Sequence, residues 1–215
     1  MIKVGLTREQ EQLYIEKVKE NPFFLEKIDD LTEAICLEAV KQNGMVLCFI
    51  ENQTEAICLE AVRENPVALE FVKDQTEEIC LEVVKNDPWV LEYVKKQTPK
   101  ICLSAIKEDG DVLEYVEKQT FSLCLEAVKQ NGLILEYAKE ENEEICLAAL
   151  FSSGNIRSER VYSFIESPTI EMRMIKEVLC EHGSNSYRQI RSQLSNNEIS
   201  LTDSPYHILE QLYPY

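Results

Sequence analysis

Apolar and polar positions along the chain recur with a period of 22 residues. Five copies begin with a Thr, pass through an apolar cluster such as ICLEAV, break at a polar Asn or Asp, and close with a second apolar cluster and a polar residue. A repeat of this length indicates a structure built from similar supersecondary units. The register residues that start the copies are Thr32, Thr54, Thr76, Thr98, Thr120 and Asn142.

Two short helices are predicted for each copy. Thr is a good N-cap, and Pro99 after Thr98 suits a first helical position, so the first helix should begin just after each Thr. About eleven residues later, Asn or Asp is followed by Pro or Gly, as at Asn65 and Pro66. Such a pair caps and opens a second helix, which we expect to run to the Gln before the next Thr.

The apolar positions of both helices spread over wide arcs. At about 100° per residue, Ile57, Cys58, Leu59 and Ala61 belong to an arc of roughly 200° on the first helix of the third copy. The second helix of that copy has an arc of similar width. Because one unit cannot bury both arcs alone, the units must stack on one another. The pattern therefore predicts an all-α fold, an α-solenoid of about six two-helix repeats with a C-terminal helical cap.

The repeats divide the chain into two predicted parts. Residues 1–154 form the solenoid, with a capping helix that starts near Arg8 behind the capping box of Thr7 and Gln10. Residues 155–215 break the period and are expected to form a C-terminal helical cap or a small partner-binding module, with helices opening at Ser167, Tyr187 and Ser204. The repeats within the solenoid are residues 10–31, 32–53, 54–75, 76–97, 98–119 and 120–141, followed by a partial copy at 142–154.

Two recurring strings resemble a known repeat family. ICLEAVKQNG at residues 35–44 and LEYVKKQT at residues 91–98 return with small changes from copy to copy. They are similar to a short helical-hairpin repeat catalogued as a domain of unknown function in bacteria and giant viruses. The resemblance covers about two thirds of the chain and implies a helical-repeat fold. It implies no activity and no catalytic residues.

Charge narrows the range of partners. The chain has 39 acidic and 22 basic residues and a formal net charge of −17. Nucleic acids and anionic membranes attract Lys- and Arg-rich surfaces, so direct binding to either is not expected. Residues 10–141 contain 28 acidic and 14 basic side chains, which places most of the negative charge on the repeats.

The cysteines and the N-terminus favour a reducing compartment. Six of the eight cysteines recur at one position of the first helix, where a free thiol acts as a small apolar side chain. The N-terminus lacks the apolar run of a signal peptide, and the longest apolar run, Ile145 to Phe151, is too short to span a membrane. We therefore expect a protein of the cytoplasm, or one delivered into a host cytosol.

No catalytic, cofactor or metal motif is found in the sequence. One Cys per repeat does not converge on a single ion, and the chain has only His182 and His207 to supply imidazole ligands or acid–base catalysis. There is no Gly-rich phosphate loop or nucleophile elbow. The sequence thus favours a protein without enzymatic activity, without cofactors and without a metal.

Variable positions predict where a partner binds. The second residue of the second helix changes freely and is Trp in one copy, which suits an exposed anchor; the alternative is that the ring covers a groove between repeats. The residues after each register Thr also diversify along one edge. The candidate partner-binding residues are Trp89, Glu77, Glu78, Lys100, Asp111 and Phe121.

The charge, the repeats and the variable positions are compatible with three functions. The first is a protein–protein interaction scaffold that uses the acidic repeat surface. The second is an acidic inhibitor, or nucleic-acid mimic, that blocks the basic groove of a nucleic-acid enzyme, for example as an anti-defence protein. The third, an enzyme with its site in residues 155–215, has least support from the sequence.

Overall fold

The computed structural model describes residues 6–140, 142–169, 172, 173 and 176. Within these residues there are helices and no strand. The chain forms two compact units, Met1–Glu108 and Asp109–Tyr215. In each unit, successive helices contact one another in a repeat-like array, which confirms the predicted all-α, solenoid-type fold.

The first helix of each copy is an α-helix that begins directly after its cap. The Thr54 hydroxyl accepts a hydrogen bond from the amide of Ile57 at 3.3 Å, and the same bond recurs in the other Thr-capped copies. The predicted capping box of Thr7 and Gln10 is present. The α-helices are α1 (Arg8–Glu20), α2 (Glu33–Gln42), α3 (Glu55–Glu64), α4 (Glu77–Asn86), α5 (Pro99–Glu108), α6 (Phe121–Gln130) and α7 (Glu143–Ser163).

The second helix is shorter and tighter than the sequence pattern predicted. It is a single six-residue 3₁₀-helix that ends at Phe71 in the third copy, and not at the Gln before the next Thr. The backbone of Val72 is extended, and its amide donates the last hydrogen bond of the helix to Leu69 O at 3.1 Å. These helices are η1 (Pro22–Lys27), η2 (Gly44–Phe49), η3 (Pro66–Phe71), η4 (Pro88–Tyr93), η5 (Gly110–Tyr115) and η6 (Gly132–Tyr137).

The core is formed by the same positions in each copy. In α3, Ile57, Cys58, Ala61 and Val62 are all at most 4% exposed, whereas Leu59 is only half-buried. The predicted apolar arc is therefore correct in its centre and too wide at Leu59. The helix α3 packs on its own 3₁₀-helix and on the helices of neighbouring repeats, and these contacts leave Leu59 partly open.

The end of the repeats differs from the pattern. The position that holds Asn or Asp in the other copies is Ser153, and α7 continues past Gly154 to Ser163. The expected division at residue 154 therefore falls inside a helix, and the assignment of residues 155–215 as a separate part stays a prediction.

Little of the predicted C-terminal helices lies among the described residues. The hydroxyl of Thr169 accepts a hydrogen bond from the amide of Met172 at 3.3 Å, and the opening of this helix at Ser167 stays a prediction. The predicted helices at Tyr187 and Ser204 lie outside the described residues.

Candidate partner-binding surface

In three of the repeats, a Gln at the end of the repeat joins it to the next one. The side-chain amide of Gln75 donates to Leu69 O and to Tyr93 O, both at 2.9 Å. Its carbonyl oxygen accepts from the amide of Lys95 at 2.8 Å. One side chain thereby satisfies three backbone groups that the short 3₁₀-helices leave open. Gln53 and Gln119 make the same set of bonds.

The capping Thr makes a second link between repeats. The Thr54 hydroxyl donates to Glu33 Oε1 of the preceding repeat at 2.7 Å, while it also caps α3. Thr98 donates to Glu77 Oε1 at 3.1 Å in the same way. These bonds fix the first turns of neighbouring α-helices side by side, and so they position the exposed residues that follow each Thr.

A groove of about 740 Å³ lies along α4 and reaches the first turn of α5. Its lining includes Leu81, the half-buried leucine that corresponds to Leu59 in α3. Three of the six residues predicted to bind a partner lie together on its rim. The full lining is Glu77, Glu78, Leu81, Glu82, Lys85, Asn86 and Lys100.

Two of the groove's carboxylates already have cationic partners. Lys100 Nζ lies 3.5 Å from Glu77 Oε2, and Arg63 of α3 lies 2.5 Å from Glu82 Oε1. Glu78 has no hydrogen bond or ion pair with any residue in the part of the chain that the structure describes. The groove thus combines one apolar side chain, Leu81, with a carboxylate that has no partner among the described residues.

Trp89 lies at the start of η4. Its side chain is 42% exposed, which agrees with the expectation that this variable position lies near the surface. It does not line the groove beside α4. Phe23, at the corresponding position of η1, is 48% exposed and packs edge-on against Phe49, with ring centroids 6.3 Å apart.

The other two candidate residues belong to the second unit. Phe121, at the first position of α6, is 44% exposed. Asp111 is half-buried in the first turn of η5, where burial and the nearby carboxylate of Asp109 raise its pKa. The predicted six therefore do not form one site within either unit, and three of them share the groove.

The recurring cysteines belong to the core, as predicted. All six, from Cys36 to Cys146, are at most 5% exposed. Burial, followed by the charge of Glu33, raises the pKa of Cys36 from 9.0 to about 11. Such thiols stay protonated at neutral pH, which makes them poor nucleophiles and poor metal ligands.

Within the described ranges, no group of three or more His, Cys, Asp or Glu side chains is arranged to hold a metal ion. No helix there is both long and apolar enough to cross a membrane.

Sequence reasoning missed two parts of this surface. It placed Leu59 and its counterparts inside the core, so it overlooked Leu81 as part of the groove lining. It also gave no role to the recurring Gln. The strict return of Gln at residues 53, 75, 97 and 119, next to each register Thr, was the signal that could have identified it.

Comparison with known protein families gives matches within the repeats. Residues 54–97 and 76–121 match the model of a domain of unknown function, DUF4116. Each match spans about two consecutive repeats, so the resemblance to a repeat family of unknown function is confirmed for this stretch. No curated protein and no solved structure matches the chain.

Proposed function

We propose that this protein is a non-enzymatic scaffold that binds a protein partner through the acidic surface of its repeats. The observation that carries the proposal is the groove along α4. There the predicted residues Glu77, Glu78 and Lys100 surround the half-buried Leu81. An apolar residue with a charged rim is typical of sites that hold a peptide segment of another protein.

The groove also defines what the partner segment should carry. An apolar side chain on Leu81 would remove apolar surface from water, at about 25 cal/mol per Å². A Lys or Arg beside it would pair with Glu78, whose carboxylate has no partner among the described residues. Exposed pairs contribute little affinity, so we assign the apolar contact to affinity and the charge to orientation.

A capture experiment with matched variants tests this proposal. The intact chain and the variants Glu78→Lys, Leu81→Ser and Glu70→Lys are immobilised, and retained proteins are quantified by mass spectrometry. Glu70 is an exposed residue of η3 outside the groove, so Glu70→Lys makes the same charge change elsewhere. We expect one specific protein to be retained by the intact chain and by Glu70→Lys, and to be lost from the two groove variants.

The outcomes are distinct. Equal retention by all four proteins would place binding outside this groove. Equal loss from Glu78→Lys and Glu70→Lys would indicate a response to overall charge. Circular dichroism of each variant confirms that it is folded before the retained proteins are compared.

A second candidate is an acidic inhibitor of a nucleic-acid enzyme. The net charge of −17 favours it, with most of that charge on the repeats. Such a complex is steered by long-range electrostatics, so it should weaken steeply between about 0.05 and 0.5 M salt. It should also be displaced by duplex DNA. Retention that is unchanged by both treatments excludes the inhibitor and leaves the scaffold.

A further inference from the structure

The first repeat lacks the Gln that joins every later pair of full repeats in the first unit. Leu31 occupies the position of Gln53, Gln75 and Gln97. A leucine cannot donate or accept hydrogen bonds. The backbone groups that a Gln at this position would bond in the second repeat are therefore left to other partners.

The groups concerned can be identified from the third repeat. There, Gln53 donates to Phe71 O at 2.9 Å and accepts from the amide of Lys73 at 2.9 Å. Its carbonyl also accepts from the thiol of Cys58 at 3.8 Å. One repeat earlier, the counterparts of these three residues are Phe49, Glu51 and Cys36.

These counterparts line a cleft. Phe49, Glu51, Cys36 and Leu31 all border a cleft of about 720 Å³ in the first unit. Neither the carbonyl oxygen of Phe49 nor the amide of Glu51 makes a hydrogen bond with the described residues. The residues that carry this acceptor and this donor therefore border a space that has room for a larger molecule.

We propose that this cleft binds the side-chain carboxamide of a glutamine in a peptide segment of a partner protein. The carboxamide NH₂ donates to Phe49 O, and its oxygen accepts from the Glu51 amide, as Gln53 does for Phe71 and Lys73. The chain itself supplies the template for this geometry.

The rim of the cleft indicates the residues that flank the glutamine. Asp29, Asp30, Glu33 and Glu51 line it, and no basic side chain is among the described residues that line it. Opposite charge next to the glutamine is favoured by this rim, so the segment should be basic. This site is separate from the groove along α4, so either proposal can fail without the other.

The test uses a blocked tripeptide with glutamine between two lysines. Acetyl and N-methylamide ends remove every other primary amide. The isosteric peptide with methionine in place of glutamine keeps the charge and the size. Binding is followed by the nuclear magnetic resonance shift of the Glu51 amide in the full-length chain during titration.

Two matched variants complete the design. Leu31→Gln restores the recurring residue, so its own side chain should occupy the site, whereas Leu31→Met keeps an apolar side chain of similar length. We expect the Glu51 amide to shift with the glutamine peptide in the wild type and in Leu31→Met. The glutamine peptide should bind Leu31→Gln at least about tenfold more weakly than it binds the wild type. The methionine peptide should bind the wild type more weakly than the glutamine peptide does, by the same factor. A tenfold loss is the equivalent of one hydrogen bond.

The proposal is overturned if both peptides shift the Glu51 amide equally, because recognition would then depend on charge alone. It is also overturned if Leu31→Gln binds as well as the wild type. The absence of any shift with the glutamine peptide has the same consequence. Glu78→Lys should bind the peptide normally, and this result separates the cleft from the groove.

Discussion

At the scale of residues, the joining Gln makes the most specific contact between neighbouring repeats. The side chain of Gln75 forms hydrogen bonds with three backbone groups of two successive repeats. Only a side-chain amide has both the donors and the acceptor that these groups need. A buried or half-buried backbone group that loses its partner costs about 1–3 kcal/mol. The Gln side chains should therefore stabilise the stack far more than their half-buried positions suggest.

We expect Gln75→Leu to lower the free energy of unfolding by about 2–4 kcal/mol, because two carbonyl oxygens and one amide lose their partner together. The measurement is urea unfolding followed by circular dichroism. Gln42→Leu is the control, since the side chain of the exposed Gln42 bonds, among the described residues, only to Glu38 of its own helix. A change of less than about 0.5 kcal/mol is expected there. Equal losses in the two variants would contradict the role of the joining Gln.

At the scale of elements, the residue that opens each 3₁₀-helix controls how closely the next α-helix approaches. A Cβ on Gly44 would lie 2.2 Å from Ala61 O of α3, closer than any real contact of this kind. At Gly110, the nearest atom to such a Cβ is the end of the Ile134 side chain, at 2.7 Å. A flexible side chain can move away, whereas a helix backbone cannot. Where Pro opens the helix, as at Pro66, the neighbouring α-helix must leave room for its ring.

Gly44→Ala should therefore destabilise the protein more than Gly110→Ala. We expect a loss of about 2–4 kcal/mol for the first variant, in the range of steric overpacking against a rigid neighbour, and about 1 kcal/mol for the second. Thermal unfolding of both variants provides the comparison. Equal melting temperatures would show that α3 moves away from η2 without cost.

At the scale of the whole molecule, the repeated burial of thiols makes stability depend on alkaline pH. The pKa of Cys36 is raised from 9.0 to about 11, mainly by burial, and burial also raises the pKa of Cys58, Cys80 and Cys124. The folded chain thus keeps thiol protons that the unfolded chain releases near pH 9. Their contribution to stability is fully present below pH 9 and is lost as the pH rises through the folded pKa values.

We expect the free energy of unfolding to fall between pH 8 and about pH 11 under reducing conditions, with a smaller fall in Cys36→Ala. Val40→Ala is the control, because it removes apolar volume from the same helix without removing a titrating group. That variant should be less stable at every pH and keep the wild-type pH dependence. An unchanged slope in Cys36→Ala would show that other groups cause the alkaline loss.

Local signals in the sequence determined much of this molecule. The repeat, the starts of the α-helices and the burial of positions such as Cys58 and Ala61 follow from caps and from apolar spacing, which act over a few residues. The exposure of Trp89 followed from the variability of its position. The resemblance to a repeat family of unknown function was carried by the same strings.

Contacts between repeats decided the rest. In η3 and η4, a Gln 18 residues earlier donates to the carbonyl oxygen of the last helical residue, and such a partner cannot be identified from a helix considered alone. For the same reason, Leu81 could be identified as a residue of the groove only from the packing of α4. The cleft beside Leu31 is likewise recognised by comparison with the later repeats, in which a Gln at that position bonds to the backbone of the next repeat. Caps and spacing are local, whereas the shape of a surface depends on which backbone groups a neighbouring repeat leaves open.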